Sequence, residues 1–181
     1  MTRWIYAVPV AAFLILAVFL FRSLSGQAPD VLPSALIDKS APEIGPTAMD
    51  AIKPGFSRAD LALGHVTVIN FFASWCVPCR MESAQLMALS KMPGITLYGV
   101  DYEERQPGAG RAFLNELGDP FSRIVVDPHG ATGINWGVYG VPETYVVDGK
   151  GIVRFKLVGG LTADALTKQL LPEIDKAKQA T

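Results

Sequence analysis

The stretch Asn70-Phe71-Phe72-Ala73-Ser74-Trp75-Cys76-Val77-Pro78-Cys79-Arg80 holds both cysteines of the 181-residue chain, spaced C-x-x-C. The run from Val66 to Phe72 that leads into it is rich in Val, Ile and Phe and lacks clean alternation, as a central strand covered on both faces requires. Pro78 suits the first turn of a helix, so a helix is expected over Pro78 to Lys91 with Cys76 at its amino terminus. There the unsatisfied backbone N–H groups and the helix dipole stabilise a thiolate, the nucleophilic form of cysteine, and Arg80 is expected to lean the same way. Cys79, one turn in, falls on a stripe with Ser83, Leu86 and Leu89 or Ser90 that should face the sheet. The pattern therefore predicts an exposed attacking thiol, Cys76, and a sheltered thiol, Cys79, that releases a mixed disulfide by attacking Cys76.

Other uses of C-x-x-C fit poorly. Zinc needs two more ligands, and the two histidines, His65 and His129, lie beside glycines without ligand spacing; haem attachment needs His directly after the second cysteine, where Arg80 stands. No metal or cofactor is expected. Two cysteines also exclude a disulfide-stapled scaffold. A net charge of −1, with no run of Lys or Arg, lacks the basic footprint of a nucleic-acid binder.

Outward from the dithiol, Ser57 to Asp60 has the form of a capping box. Ile95 to Tyr102 reads as a second buried strand, forming with the first a right-handed β-α-β unit and hence a parallel pairing. Ala109 to Leu117 is expected to be a helix ended by Gly118, and Arg123 to Asp127 a short strand. Gly130 to Tyr139 reads as a short irregular helix. Thr144 to Asp148 and Ile152 to Val158 form a hairpin around Gly149, Lys150 and Gly151, and Thr162 to Lys178 a closing helix that Pro172 kinks.

Charged residues make up 18% of the chain, below the roughly 25% of a soluble domain, which points to a long apolar segment. Trp4 to Phe21 supplies it: 18 residues without a charge, flanked by Arg3 and Arg22 and with Trp4, Tyr6 and Phe21 near its ends. A helix of that length spans roughly 27 Å, close to the hydrocarbon thickness of a bilayer. It exceeds the h-region of a signal peptide, and Arg22 stands where small residues would be wanted. The expectation is an uncleaved membrane anchor over residues 1–22 with its amino terminus in the cytoplasm, a tether over 23–40 and a folded domain over 41–181.

The run from Asn70 to Arg80 resembles the active-site segment of the thioredoxin superfamily, which places W-C-x-x-C between a strand and a helix. Gly137 to Thr144 reads G-V-Y-G-V-P-E-T, just before a strand, where the superfamily places a cis-proline beside the dithiol; Pro142 maps onto it. With the anchor, this narrower motif resembles the membrane-anchored cytochrome c biogenesis thioredoxins, the CcmG/DsbE group, over roughly Ala41 to the carboxyl terminus. The resemblance implies an α/β thioredoxin-like fold: a central mixed sheet flanked by helices, with an extra helix and strand between about Ala109 and Asp127. It also implies a single-pass protein of the bacterial inner membrane with its dithiol in the periplasm, a reductant of the haem-binding cysteines of apocytochrome c. A transmembrane dithiol carrier of the DsbD/CcdA type would recharge it. A general tethered reductase for other exported proteins, or a non-catalytic module holding extended peptides at the Pro142 loop, are the alternatives.

Asn70 departs from the simplest thioredoxins, which carry a buried Asp there to serve the resolving cysteine. Glu82, three residues after Cys79, and Glu143, next to Pro142, are the candidate replacements, with Glu143 favoured because the motif carries it. Ionised near the dithiol, both would disfavour the Cys76 thiolate and keep the protein reducing. Trp75 is expected to be a lid beside Cys76.

Overall fold

The computed structural model describes residues 3–24, 34–45, 49 and 53–180. The chain divides into two compact units, Met1–Leu32 and Pro33–Thr181. In the first, helix α1 spans Arg3–Leu24 over the expected apolar segment. The side chains described on it are those of residues 8–22, nearly all exposed; among the described residues no helix is long and apolar enough to cross a membrane.

The second unit holds a five-stranded sheet in the order β3-β2-β1-β4-β5. Its strands are β1 (Thr67–Phe72), β2 (Thr96–Tyr102), β3 (Arg123–Asp127), β4 (Glu143–Val147) and β5 (Val153–Val158). The first three run parallel, joined by helices α2 (Val77–Leu89) and α3 (Ala109–Leu117), while β4 and β5 are antiparallel. The result is the expected mixed thioredoxin-like sheet, with helices at its connections. All six residues of β1 are buried, because each of its faces meets a separate core and neither side chain set reaches water.

Val68 and Phe72 of β1 pack with Cys79, Leu86 and Leu89 of α2 and with Phe113 and Phe121. Ile69 and Phe71 pack on the other face with Val100, Trp136, Tyr145 and Val147; Trp136 comes from α4 (Ala131–Trp136). At the expected capping box Asp60 accepts from both the backbone N–H and the hydroxyl of Ser57, opening a 3-10 turn, Arg58–Leu61. The closing helix is built in three parts, α5 (Ala163–Ala165), a π-helical stretch (Leu166–Leu170) and α6 (Leu171–Gln179). Pro172 stands in the first turn of α6, where a missing N–H is tolerated, so the irregularity falls on the turn before it.

One boundary differs from the sequence reading. Residues 25–33 of the expected tether lie outside the described residues, but its end is part of the fold: Asp38 N–H donates to Val153 O at 2.8 Å, Val153 N–H to Lys39 O at 2.9 Å, and Ser40 bridges to Ile152. The polar composition that suggested a tether serves here as a cover for the edge of β5, satisfying backbone groups that an open edge would expose.

Candidate active site

Cys76 is the N-cap of α2, with φ −88° and ψ 112°, and Pro78 sits in the first turn. The structure holds Cys76 and Cys79 as a disulfide with Cα atoms 5.3 Å apart, and the Cys76 Sγ accepts the Cys79 N–H at 3.1 Å. That N–H is one of the donors a helix start leaves free, so the same contact is available to a Cys76 thiolate. Exposure does not separate the two cysteines: Cys76 is 4% exposed and Cys79 2%. The expected exposed attacker is therefore corrected. What distinguishes Cys76 is its place at the helix terminus, with its sulfur 3.4 Å from the Val141 carbonyl oxygen. The Val141–Pro142 peptide is cis, and the Pro142 carbonyl accepts from Gly159 N–H at 3.0 Å.

Glu82 is fully buried on the same helix. Its Oε1 accepts from Asn70 Nδ2 at 3.0 Å and its Oε2 from Leu161 N–H at 2.7 Å. Burial pushes its carboxyl up to about 7, with the bonds from Leu161 and Asn70 pulling the other way. Asn70 also donates to Thr144 Oγ1 at 3.1 Å, while its own Oδ1 finds no partner among the described residues. Asn70 thus orients an acid that stands one turn after Cys79 and titrates near neutrality.

Glu143 is placed elsewhere. In the β1–β4 register Asn70 opposes Thr144 and Phe71 opposes Glu143, and opposed residues share a face of the sheet. Asn70 and Thr144 face Glu82, whereas Glu143 lies on the far face with Phe71 and Tyr145. Its Oε1 accepts from Tyr139 N–H at 3.0 Å, its Oε2 from Tyr145 Oη at 2.9 Å, and Lys156 Nζ lies 2.9 Å away. The expectation that Glu143 approaches the dithiol as a free negative charge is overturned, because β-strand alternation turns it away from Thr144 and an ammonium meets it there. Burial and then the Glu143 carboxylate push Tyr145 well up, so its hydroxyl stays a donor.

Arg80 does not lean toward Cys76 either. It forms a forked pair with Glu116 of α3, at 2.8 and 2.9 Å, and its guanidinium stacks 5.4 Å from the Phe113 ring centroid. Trp75 is 39% exposed; its indole N–H donates to Glu103 O at 3.0 Å and Arg105 covers its ring at 5.3 Å. The ring is tied to the loop after β2.

That loop was missed from sequence. Glu104 accepts from Ser74 N–H at 2.5 Å and Ser74 Oγ at 2.6 Å, holding the turn before Cys76. Behind it Asp101 is buried, and burial first, then the charge of Glu104 and a hydrogen bond with it, push its carboxyl up to about 8 against the pull of Arg111. A side chain at Gly110 would collide with the Asp101 carboxylate, so glycine is needed for this approach of α3. A cluster of acids at the carboxyl end of a parallel strand, where α/β sheets gather their sites, was the available signal. Among the described residues no group of three or more His, Cys, Asp or Glu is placed to hold a metal ion.

Comparison with known proteins agrees with this geometry. Residues 37–156 match the model of the AhpC/TSA family. The chain is 42% identical over 144 residues to the thiol:disulfide interchange protein HelX of Rhodobacter capsulatus, covering 80% of each. It is 38% identical over 165 residues to the thiol:disulfide interchange protein DsbE of Allochromatium vinosum, covering 91% of this chain and 90% of that one. The crystal structure of a DsbF homologue of Corynebacterium diphtheriae superposes with a TM-score of 0.66 at 22% identity, covering 83% and 97%, and shares the fold. With a C-x-x-C disulfide at the start of α2 and such similarity along most of its length, the chain belongs to the AhpC/TSA family and, within it, to the thiol:disulfide interchange proteins, oxidoreductases that exchange electrons through a cysteine pair.

Proposed function

We propose that this protein is a membrane-tethered reductant of disulfides in the periplasm, acting on the haem-binding cysteines of apocytochrome c. The observation that carries the chemistry is the Cys76–Cys79 pair at a helix start, with the cis Val141–Pro142 peptide on one side and buried Glu82 behind it. In the reduced protein the Cys76 thiolate attacks one sulfur of the substrate disulfide, expelling the other as a thiolate that takes a proton from water. Cys79 then gives its proton to Glu82 and attacks the Cys76 sulfur. The disulfide seen here closes and the second substrate sulfur leaves as a thiolate, which also takes a proton from water. Two electrons pass to the substrate, and a membrane dithiol carrier of the DsbD/CcdA type returns two to the protein.

The uncharged run Trp4 to Phe21, flanked by Arg3 and Arg22, supports a single span with the amino terminus in the cytoplasm and the dithiol outside. The G-V-Y-G-V-P-E-T motif at 137–144 supports the apocytochrome c substrate over other exported proteins.

The test is Cys79→Ser in the native host. Removal of the resolving thiol should accumulate mixed disulfides through Cys76 with exported c-type apocytochromes and a membrane dithiol carrier. Trapping of unrelated exported proteins alone would replace the substrate by a general one. Equal trapping by Cys76→Ser through Cys79 would show the two roles to be wrongly assigned.

A further inference from the structure

Lys156 is a lysine in the interior of a strand, with its side chain 4% exposed. Lysines are almost never so buried unless paired, and removing an ammonium from water costs several kcal/mol. Its contacts converge on one segment. The ammonium donates to Gly137 O at 2.7 Å, pairs with Glu143 Oε2 at 2.9 Å, and lies 4.1 Å from the Tyr139 ring centroid and 5.4 Å from that of Tyr145. Glu143 returns to the same segment by accepting from Tyr139 N–H. Gly137, Tyr139 and Glu143 bracket the turn that delivers Val141, whose carbonyl touches the Cys76 sulfur, and Pro142.

The ends of the turn are packed, with Val138 and Val141 against the core, but its tip is not. Tyr139 is exposed, and a Cβ built on Gly140 meets nothing within 4 Å. Apolar packing therefore holds the ends of the turn and not its tip, and the ammonium meets the tip from beneath, at Gly137 O and the Tyr139 ring. A buried ion pair seldom stabilises a fold more than apolar residues of the same volume would, so a role in placing the turn accounts better for the lysine than stability does.

We propose that Lys156 is a positioning residue for exchange with polypeptide disulfides, holding the Gly137–Pro142 turn in the place against which the substrate chain lies. This rests on the reductant reading above. A polypeptide whose cysteine is bonded to Cys76 must run past Val141 and Pro142, and a turn already in place spares the ordering that docking would otherwise require. A small disulfide has no chain to lie against the turn.

The test compares full-length wild type, Lys156→Met, Lys156→Arg and the double variant Lys156→Met/Glu143→Gln. Each is assayed on a C-x-x-C peptide disulfide and on 5,5′-dithiobis(2-nitrobenzoate). Lys156→Met should lose about tenfold or more in kcat/KM on the peptide, chiefly through KM. Its rate on the small disulfide and its equilibrium with glutathione should stay within twofold of wild type. Lys156→Arg should recover the peptide rate. The double variant removes the carboxylate left unpaired, so it should regain stability without regaining the peptide rate. Equal losses on both disulfides, an unchanged peptide rate in Lys156→Met, or full recovery in the double variant would overturn the proposal. A wild type that reduces the small disulfide but not the peptide would overturn the reductant reading and this proposal with it.

Discussion

Glu82→Gln tests the buried acid directly. Burial moves the Glu82 carboxyl from 4.5 to about 7 in the folded protein, while the unfolded chain keeps the ordinary value. At about 1.4 kcal/mol per pH unit, this group contributes about 3 kcal/mol of stability that is fully present below pH 4.5 and lost as pH rises through 7. Gln cannot ionise, so the variant lacks this fall. It has a separate penalty that does not depend on pH: Glu82 accepts from both Asn70 Nδ2 and Leu161 N–H, Gln has one acceptor oxygen for the two, and a buried donor left unpaired costs about 1–3 kcal/mol. Glu82→Gln should therefore be the less stable protein at pH 5 and should draw level with or pass wild type by pH 8. Denaturant unfolding of both proteins across that range, with the disulfide intact so that neither cysteine titrates, gives the comparison. The same variant should slow release of a Cys76 mixed disulfide by about a hundredfold at pH 7, the lower range for a lost general base. A stability difference that stays constant from pH 5 to pH 8 would refute the reasoning, because it would mean that Glu82 carries the same charge in the folded and unfolded chain.

Asp101, pushed up to about 8 by burial and by Glu104, acts in the same direction. Asp101→Asn should flatten the loss of thermal stability between pH 5 and pH 8.5, and an unchanged slope would show that Asp101 does not hold a proton there. Arg80→Ala should leave the Cys76 pKa, read by thiolate absorbance in the reduced protein, where wild type has it, since the guanidinium is engaged by Glu116; a rise would return Arg80 to the thiolate. Deletion of residues 1–24 should move the protein from the membrane to the soluble fraction without changing its rate on a small disulfide, and retention in the membrane would remove the anchor.

Strand, helix and hairpin positions were legible because they rest on short-range rules. The Val66 to Phe72 run lies within a few residues of its own turn signals, and Pro78 and Cys76 mark the start of α2 within three positions of each other. The site was legible only as far as such local chemistry reaches. Its place after Pro142 makes Glu143 look like a neighbour of the dithiol, but one residue along a strand reverses the face, and the β1–β4 register sends it to Lys156. Glu82 was correctly placed on the side of α2 that carries Cys79, yet nothing within its own helix distinguishes a solvated acid from a buried one. Arg80 was read by its closeness in sequence to Cys76, while Glu116 and Phe113, more than thirty residues on, decide where it points.

By itself, then, the sequence determined the chemistry and its local frame: two thiols three residues apart at a helix start, a proline that suits that start, an apolar strand before it and a second proline in a narrow motif after it. These follow from backbone geometry and neighbouring side chains, which a linear chain already contains. Tertiary structure alone decided the charge states and the faces. The 161 backbone closes over Glu82, Asn70 bonds it from β1, Glu104 reaches back to Ser74, and Lys156 crosses from β5 to the Pro142 turn. Each of these joins residues far apart in the chain, and a pKa or a loop position depends on the solvent excluded and the partners gathered there, quantities that do not exist until the sheet has formed.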